Sequence, residues 1–378
     1  MNFKRSLFSF SLLCSGLILS SQNTVWSSSI DSLNVFSSPR AADLTGDGVK
    51  DIVIGGGLDK NYRTQAISAW DGANGQLLWS VPARDEVFGS ASFQDVNGDS
   101  VPDVFIGGRN AILKAIDGSN GQLLWEFWPS SNPGLPKDSG ILQFYSSQWI
   151  TDQNGDSIMD LLVANGGDPD ALPWDTIRLP GHLIVLDPVN GNVLAKAVVP
   201  DSMETYCSPV VSDLDFDGNY EVIFGTGGEN ISGSLWVAEL TDLMNNDLSS
   251  AQALATGNGK GFIAPVSIAD INTNSNLDII SIGFDGTLRV FDGMGYTPLW
   301  SLDFPGMESS AAPVLGNFTG SYLPDVVLSL YKGTTPSYSE FYQVLIDGLT
   351  GLVVQIDSLG DYQYPSSVAA DLNYDGID

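Results

Sequence analysis

Along most of the chain, short runs of β-branched and apolar residues alternate with clusters of Gly, Asp, Asn and Pro. DIVIGG from Asp51, DVFIGG from Asp103, EVIFG from Glu221 and DIISIG from Asp278 show the type. Runs this short, bounded by turn formers, predict β-strands. The 41 glycines and 19 prolines in 378 residues interrupt the chain too often for long helices. The expected class is therefore all-β.

The pattern also repeats. Two or three small or apolar residues precede D-x-[N/D/T]-x-D-G-x-x-[D/E], and a β-branched run ending in glycine follows. The first positions of the seven cassettes are 43, 95, 152, 213, 270, 317 and 371. The fullest copies run Asp43–Asp51, Asp95–Asp103, Asp152–Asp160 and Asp213–Glu221. In the fifth, Asp270–Asp278, Asn274 replaces a central carboxylate, and the sixth, Asn317–Asp325, keeps only its last. A second signature lies midway between cassettes: a strand-like run, a D-G-x-x-G turn, then Leu and Trp. It is clearest at Ala69–Trp79 and Ala115–Trp125 and weaker from Leu186, Phe291 and Ile346. Trp79, Trp125 and Trp300 each follow the turn aspartate by eight residues, the regularity of an aromatic plug between neighbouring units. Each unit then holds four short strands, A to D, and such blades set radially make a β-propeller.

The cassettes resemble FG-GAP repeats, also called VCBS repeats, known from the seven-bladed heads of integrin α subunits and from secreted bacterial proteins. The resemblance runs from about Ser37 to the last residue and implies a seven-bladed propeller of four-stranded antiparallel blades. Asp378 falls one position short of the seventh cassette's ninth residue, so blade seven is expected to be incomplete. The D-G-x-x-G-x-Leu-Leu-Trp segments are also similar to the blade-locking motif of quinoprotein dehydrogenases.

Oxygen ligands at positions 1, 3 and 5, a carbonyl at 7 and a carboxylate at 9 suit one hard cation, and Ca²⁺ is the natural occupant. The resemblance implies ligand sets of Asp43, Thr45, Asp47, the Val49 carbonyl and Asp51 in loop one. In loop two they are Asp95, Asn97, Asp99, the Val101 carbonyl and Asp103. Loop three offers Asp152, Asn154, Asp156, the Ile158 carbonyl and Asp160, and loop four Asp213, Asp215, Asp217, the Asn219 carbonyl and Glu221. A fifth set, Asp270, Asn272, Asn274 and Asp278, is weaker, and a seventh begins with Asp371, Asn373 and Asp375. Loops one to four carry thirteen carboxylates. Bare, they repel one another; with calcium bound, repulsion becomes a folding contribution. Such sites are expected to be structural.

Charge narrows the partners. The formal charge is -30, with 45 acidic against 15 basic residues, while 43% of the chain is apolar. This is a folded acidic protein, with too few cations to track nucleic acid. Lys4 and Arg5, then an apolar run to Leu19, read as a signal peptide over residues 1–22, and export follows. Residues 23–36 form an N-terminal segment able to lend a ring-closing strand, and 37–378 hold the repeats. Cys14 lies in the signal, which leaves Cys207 without a cysteine partner. Loop length varies between strands B and C and between blades, where binding evolves on a rigid scaffold. Trp128, Tyr145, Trp174, Tyr331 and Tyr338 are aromatic anchors there for an extracellular protein or glycan. His182 is the only histidine and reads as a structural edge residue; no nucleophile motif is present. The expected function is a secreted, non-catalytic adhesion or binding module. The alternatives are an accessory propeller of a secreted polysaccharide-active enzyme and a quinoprotein-type dehydrogenase.

Overall fold

A computed structural model describes residues 26–31, 33–127, 142–168, 170–172, 175, 177–321, 323–360 and 366–378. The expected signal peptide, Trp128 and Trp174 lie outside the described residues.

Six antiparallel sheets follow one another along the chain. The first holds β1 (Arg40–Ala42), β2 (Asp51–Gly55), β3 (Arg63–Trp70) and β4 (Leu77–Ala83); the second holds β5 (Ser92–Gln94), β6 (Asp103–Gly107), β7 (Leu113–Ile116) and β8 (Leu123–Glu126). The third comprises β9 (Gln143–Phe144), β10 (Gln148–Ile150), β11 (Asp160–Gly166), β12 (His182–Leu186) and β13 (Val193–Val198). In the fourth are β14 (Val210–Ser212), β15 (Glu221–Gly225), β16 (Ser234–Glu239) and β17 (Gln252–Thr256), with helix α1 (Leu240–Met244) before β17. The fifth has β18 (Ser267–Ala269), β19 (Asp278–Ile282), β20 (Thr287–Phe291) and β21 (Pro298–Asp303). The sixth has β22 (Met307–Glu308), β23 (Val314–Gly316), β24 (Asp325–Thr334), β25 (Ser337–Ile346) and β26 (Val353–Leu359). Each sheet takes its four main strands in chain order, the expected up-and-down blade.

The second strand of each blade explains the stacking. Its side chains alternate between two faces, and in sheets two to five both faces are buried. In β6, Phe105 packs toward sheet three while Val104 and Ile106 pack toward sheet one. In β11, Leu161 and Val163 face sheet two, and Leu162 and Ala164 face sheet four. In β15 and β19 the alternation repeats, Ile223 against Val222 and Phe224, and Ile279 against Ile280 and Ile282. Five apolar clusters therefore lie between six successive sheets, and period-two patterning alone assigns each residue to its seam.

The tryptophans lock these seams. Trp79 donates its indole N–H to the Gly118 carbonyl at 2.8 Å, Trp125 to Pro188 at 2.7 Å and Trp300 to Gly348 at 3.0 Å. Each acceptor lies in the third-to-fourth-strand turn of the next sheet. The indoles lie so close over Gly121, Gly191 and Gly351 that a Cβ there would sit within 3 Å of the ring. Trp26 does the same to sheet one, bonding Gly72 at 2.9 Å and covering Gly75. Sheet four breaks the rule. Its third-to-fourth connection contains α1 instead of a D-G-x-x-G turn, and Ala195, where a tryptophan would stand, belongs to the cluster that buries Leu240 and Leu243. The one-turn helix is the exception to the all-β expectation.

Candidate functional site

Alternation of strand direction puts the first-to-second and third-to-fourth connections of every blade at one end. The cassettes and the D-G-x-x-G turns meet there, and in blades one, two and five the ninth residue of the cassette ties the two together. Asp51, Asp103, Asp160, Glu221, Asp278 and Asp325 open the second strands of the six blades. All six are buried. Asp51 accepts the N–H groups of Leu44 (2.8 Å) and Thr45 (3.1 Å) on one oxygen and that of Gly72 (3.0 Å) on the other. Asp103 does the same with Val96, Asn97 and Gly118, and Asp278 with Ile271, Asn272 and Gly293. Asp325 keeps the pair from Phe318 and Thr319 in the cassette that has lost its other carboxylates. The ninth carboxylate is thus a backbone anchor before it is anything else, which is why it survives in loop six.

Positions 1, 3 and 5 behave differently. They are largely exposed and shape the loop by Asx-type bonds. Asp43 accepts from Gly46 (2.7 Å) and Gly48 (2.9 Å); Asp95 from Gly98 and Ser100; Asp152 from Gly155 and Ser157. These bonds hold the Asp152 carboxyl below the usual carboxylate range. The fifth-position carboxylates of Asp47, Asp99, Asp156 and Asp217 each accept from residue seven, at 2.8, 2.8, 2.8 and 2.7 Å. In loop four, Asp213, Asp215 and Asp217 bring three carboxylate oxygens within 4.8 Å of one another. In loop three, Asp160 Oδ1 is buried with no hydrogen-bond partner among the described residues. A clustered trio of carboxylates and an orphaned buried oxygen both fit a hard cation. The loop built from Asp371, Asn373 and Asp375 folds alike, with Gly376 donating to Asp371 at 2.8 Å.

The opposite end gathers the second-to-third-strand loops and the blade-to-blade connections. A recess of about 380 Å³ opens there between sheets two and five. Arg109, Gln143, Arg178, Glu204, Tyr206 and Glu229 line it, with Ile231 and Ile263 as apolar wall. Arg178 is fixed by donating Nε to the Asp175 carbonyl (2.9 Å) and Nη2 to that of Leu172 (2.8 Å); its Nη1 stands 3.7 Å from Glu204 Oε2. Glu204 accepts the Tyr206 hydroxyl at 2.9 Å, and burial raises its carboxyl against the pull of Arg178 and Tyr206. Arg109 bonds Glu86 through Nε at 2.8 Å and reaches Gln143 at 3.4 Å. The Tyr206 ring slots between Gly167 and Gly228, where added Cβ atoms would sit 2.6 and 3.1 Å from it.

Of the expected aromatic anchors, Tyr145 lies beside this recess, 6.3 Å from Tyr206 and 5.3 Å from Phe88. Tyr331 is 1% exposed, its ring tilted against Tyr338 and edge-on to Phe341, and so packs the blade instead of presenting a surface. The segment from Tyr331 to Phe341 is a hairpin, with β24 paired to β25 through Thr334 and Ser337. Tyr338 donates to Glu308 at 2.6 Å. Cys207 is buried, its thiol pushed up to about 12 by that burial.

The recess residues carry a signal that a motif search passes over. Nine residues before each first-position residue stand Asn34, Glu86, Gln143, Glu204, Gly261 and Glu308; seven before stand Phe36, Phe88, Tyr145, Tyr206, Ile263 and Ser310. The offset is constant, so these positions share one place in each blade. All three glutamates meet cations, Arg109, Arg178 and Lys260.

No protein-family model matches the chain, and no curated protein does. Solved structures do. The chain is similar to BBS1N in complex with ARL6DN, at TM-score 0.50 and 12% identity over 88% of this chain and 84% of that one. It is similar to the quinohemoprotein alcohol dehydrogenase ADHIIG from Pseudomonas putida HK5, at TM-score 0.57 and 10% identity over 86% and 60%. The exotype rhamnogalacturonan lyase YesX aligns at TM-score 0.53 and 15% identity over 85% and 57%. With six successive antiparallel sheets, each carrying four main strands in chain order, these likenesses define the class: the protein is a β-propeller. At such identities they speak for the fold alone. No helix among the described residues is long and apolar enough to cross a membrane.

Proposed function

We propose that the protein is a secreted FG-GAP/VCBS-type propeller, stapled by calcium, that acts as a non-catalytic adhesion or binding module. Its partner is an extracellular protein or glycan held at the end opposite the acidic loops. One observation carries this reading: the two ends use their polar groups differently. Cassette carboxylates are spent on their own loops, as acceptors of backbone N–H groups. At the recess, by contrast, Arg109 Nη2, Arg178 Nη1 and Glu204 Oε1 have no hydrogen bond among the described residues. Rigid polar groups left uncommitted in a concavity are what a binding site requires.

The test is capture on arrays of extracellular proteins and glycans with the calcium-loaded protein. Binding should survive Asp375→Asn at the loop end and fall with Glu229→Lys at the recess end. Capture that follows the loop-end substitution instead would refute the assignment of ends.

A further inference from the structure

We infer that the recess is a saccharide site, taking the end of a neutral oligosaccharide. This rests on the proposed binding end and adds the chemical class of the ligand. Charge is the first reason. Two guanidiniums, Arg109 and Arg178, face three carboxylates, Asp168, Glu204 and Glu229, around one recess. An anion would meet the carboxylates and a cation the guanidiniums, whereas a neutral ligand rich in hydroxyls uses both.

Geometry is the second. Arg178 Nη1 and Glu204 Oε2 face each other across 3.7 Å, too far for a direct hydrogen bond. A hydroxyl both donates and accepts, so one placed beside them takes the guanidinium proton and gives its own to the carboxylate. The side chains that would hold it do not need to be ordered on binding. The Arg178 side chain is 8% exposed and Glu204 2%, each fixed by its own hydrogen bonds. Preorganisation of this kind removes part of the entropic cost of binding.

Surface is the third. Ile231, Ile263 and the edge of Tyr206 give the recess apolar wall beside its polar groups. A pyranose matches that mixture, with hydroxyls around its rim and C–H groups on its faces. The volume lies at the lower end of small-ligand sites, enough for the end of a chain and not for a long segment.

The test is saturation-transfer NMR on the calcium-loaded full chain, with a panel of neutral oligosaccharides of glucose, galactose, mannose, xylose and rhamnose. At least one should receive saturation. Its affinity should fall about tenfold or more in Glu204→Gln and in Glu229→Gln, the size expected for a lost hydrogen bond to a charged group. Glu229 is exposed, so its variant folds whether or not Glu204→Gln does. No transfer to any panel member overturns the inference, as does unchanged affinity in variants that melt like the parent. Failure of the broader reading looks different. New reducing ends in the panel would remove the non-catalytic assignment and leave the saccharide site standing. A protein ligand from the arrays whose capture depends on Glu229, with no sugar bound, would do the reverse.

Discussion

The two ends of this propeller are built from the same repeating units and have diverged in opposite ways. At the loop end the bonds recur: the ninth carboxylate accepts the N–H of the second residue in all six blades, and the first carboxylate accepts that of the fourth in cassettes one to three. At the recess end the equivalent positions differ in identity, and their partners come from different places. Glu86 meets Arg109 from a loop within sheet two, Glu204 meets Arg178 from sheet three, and Glu308 meets Lys260 from the connection after sheet four. The difference teaches that repetition here marks scaffold, and that its loss marks the end where the proposed partner would be held. A propeller needs every seam closed but only one site.

The widest test of that contrast is removal of calcium. Each bound ion that prefers the folded state contributes about 3–4 kcal/mol when free ion exceeds its Kd by two to three orders of magnitude. Four full loops therefore predict a Tm fall on the order of 20 °C on chelation, read by calorimetry. The effect should be visible at the loop end and small in amide exchange around the recess. A melt indifferent to chelator would remove calcium from the description.

Within one cassette the contrast can be sharpened. Asp103→Ala strips the acceptor from the N–H groups of Val96, Asn97 and Gly118 and should cost about 3–5 kcal/mol even in chelator. Asp99→Ala should cost stability only when calcium is present, because Asp99 is exposed and serves one loop N–H. Urea titrations in calcium and in chelator separate the two. Equal losses in both buffers for Asp99→Ala would mean that the fifth position is an anchor and not a ligand.

Those loops were legible in the sequence because their chemistry is local: nine contiguous residues fold into one object and recur. The seams were legible for the same reason, as Trp79, Trp125 and Trp300 stand at a fixed distance from a turn. The recess was not. Arg109, Glu204 and Glu229 come from three connections of three blades, and nothing in any one segment announces that they meet. Only the offset from the cassette, which places Gln143, Glu204 and Glu308 at equivalent positions, carries that information. The helix in sheet four was also hidden, since five residues with two buried leucines do not differ from a strand in pattern.

His182 tests the recess end through pH. It opens β12 beside the loop that carries Arg178; it is 7% exposed, and its Nδ1 has no partner among the described residues. Burial, and secondarily the charge of Lys196, lowers its pKa from 6.5 to about 4. The folded state therefore holds a neutral imidazole where the unfolded chain takes up a proton. Its contribution is intact above pH 6.5 and is lost as pH falls toward 4, on the order of 3 kcal/mol over the window. His182→Leu should flatten that part of the acid limb relative to the parent, since carboxylate titration is common to both. Parallel acid limbs in the two proteins would mean that His182 is protonated or solvated in the folded state.

The smallest effect returns to the cassettes. Their sixth position sits in the left-handed region, at φ +85° for Gly48 and +93° for Gly218, but also at +73° for Ser100, +72° for Ser157 and +74° for Ser275. A side chain there strains the backbone by about 1–2 kcal/mol, part of which glycine gives back through its freer unfolded chain. The N–H of Ser157 donates to Asp152 at 2.7 Å and would do so equally from glycine. Added space is not at issue, because nothing lies within 4 Å of a Cβ built on Gly48 or Gly218. Ser157→Gly should therefore stabilise the protein by about 0.5–1 kcal/mol, a rise of about 1 °C in Tm. Gly48→Ala should lower stability by a similar amount, and both shifts should persist in chelator, since they act on the backbone and not on the ion. If Ser157→Gly gains stability only with calcium bound, the strain belongs to the liganded loop and the serine is there to tune its affinity.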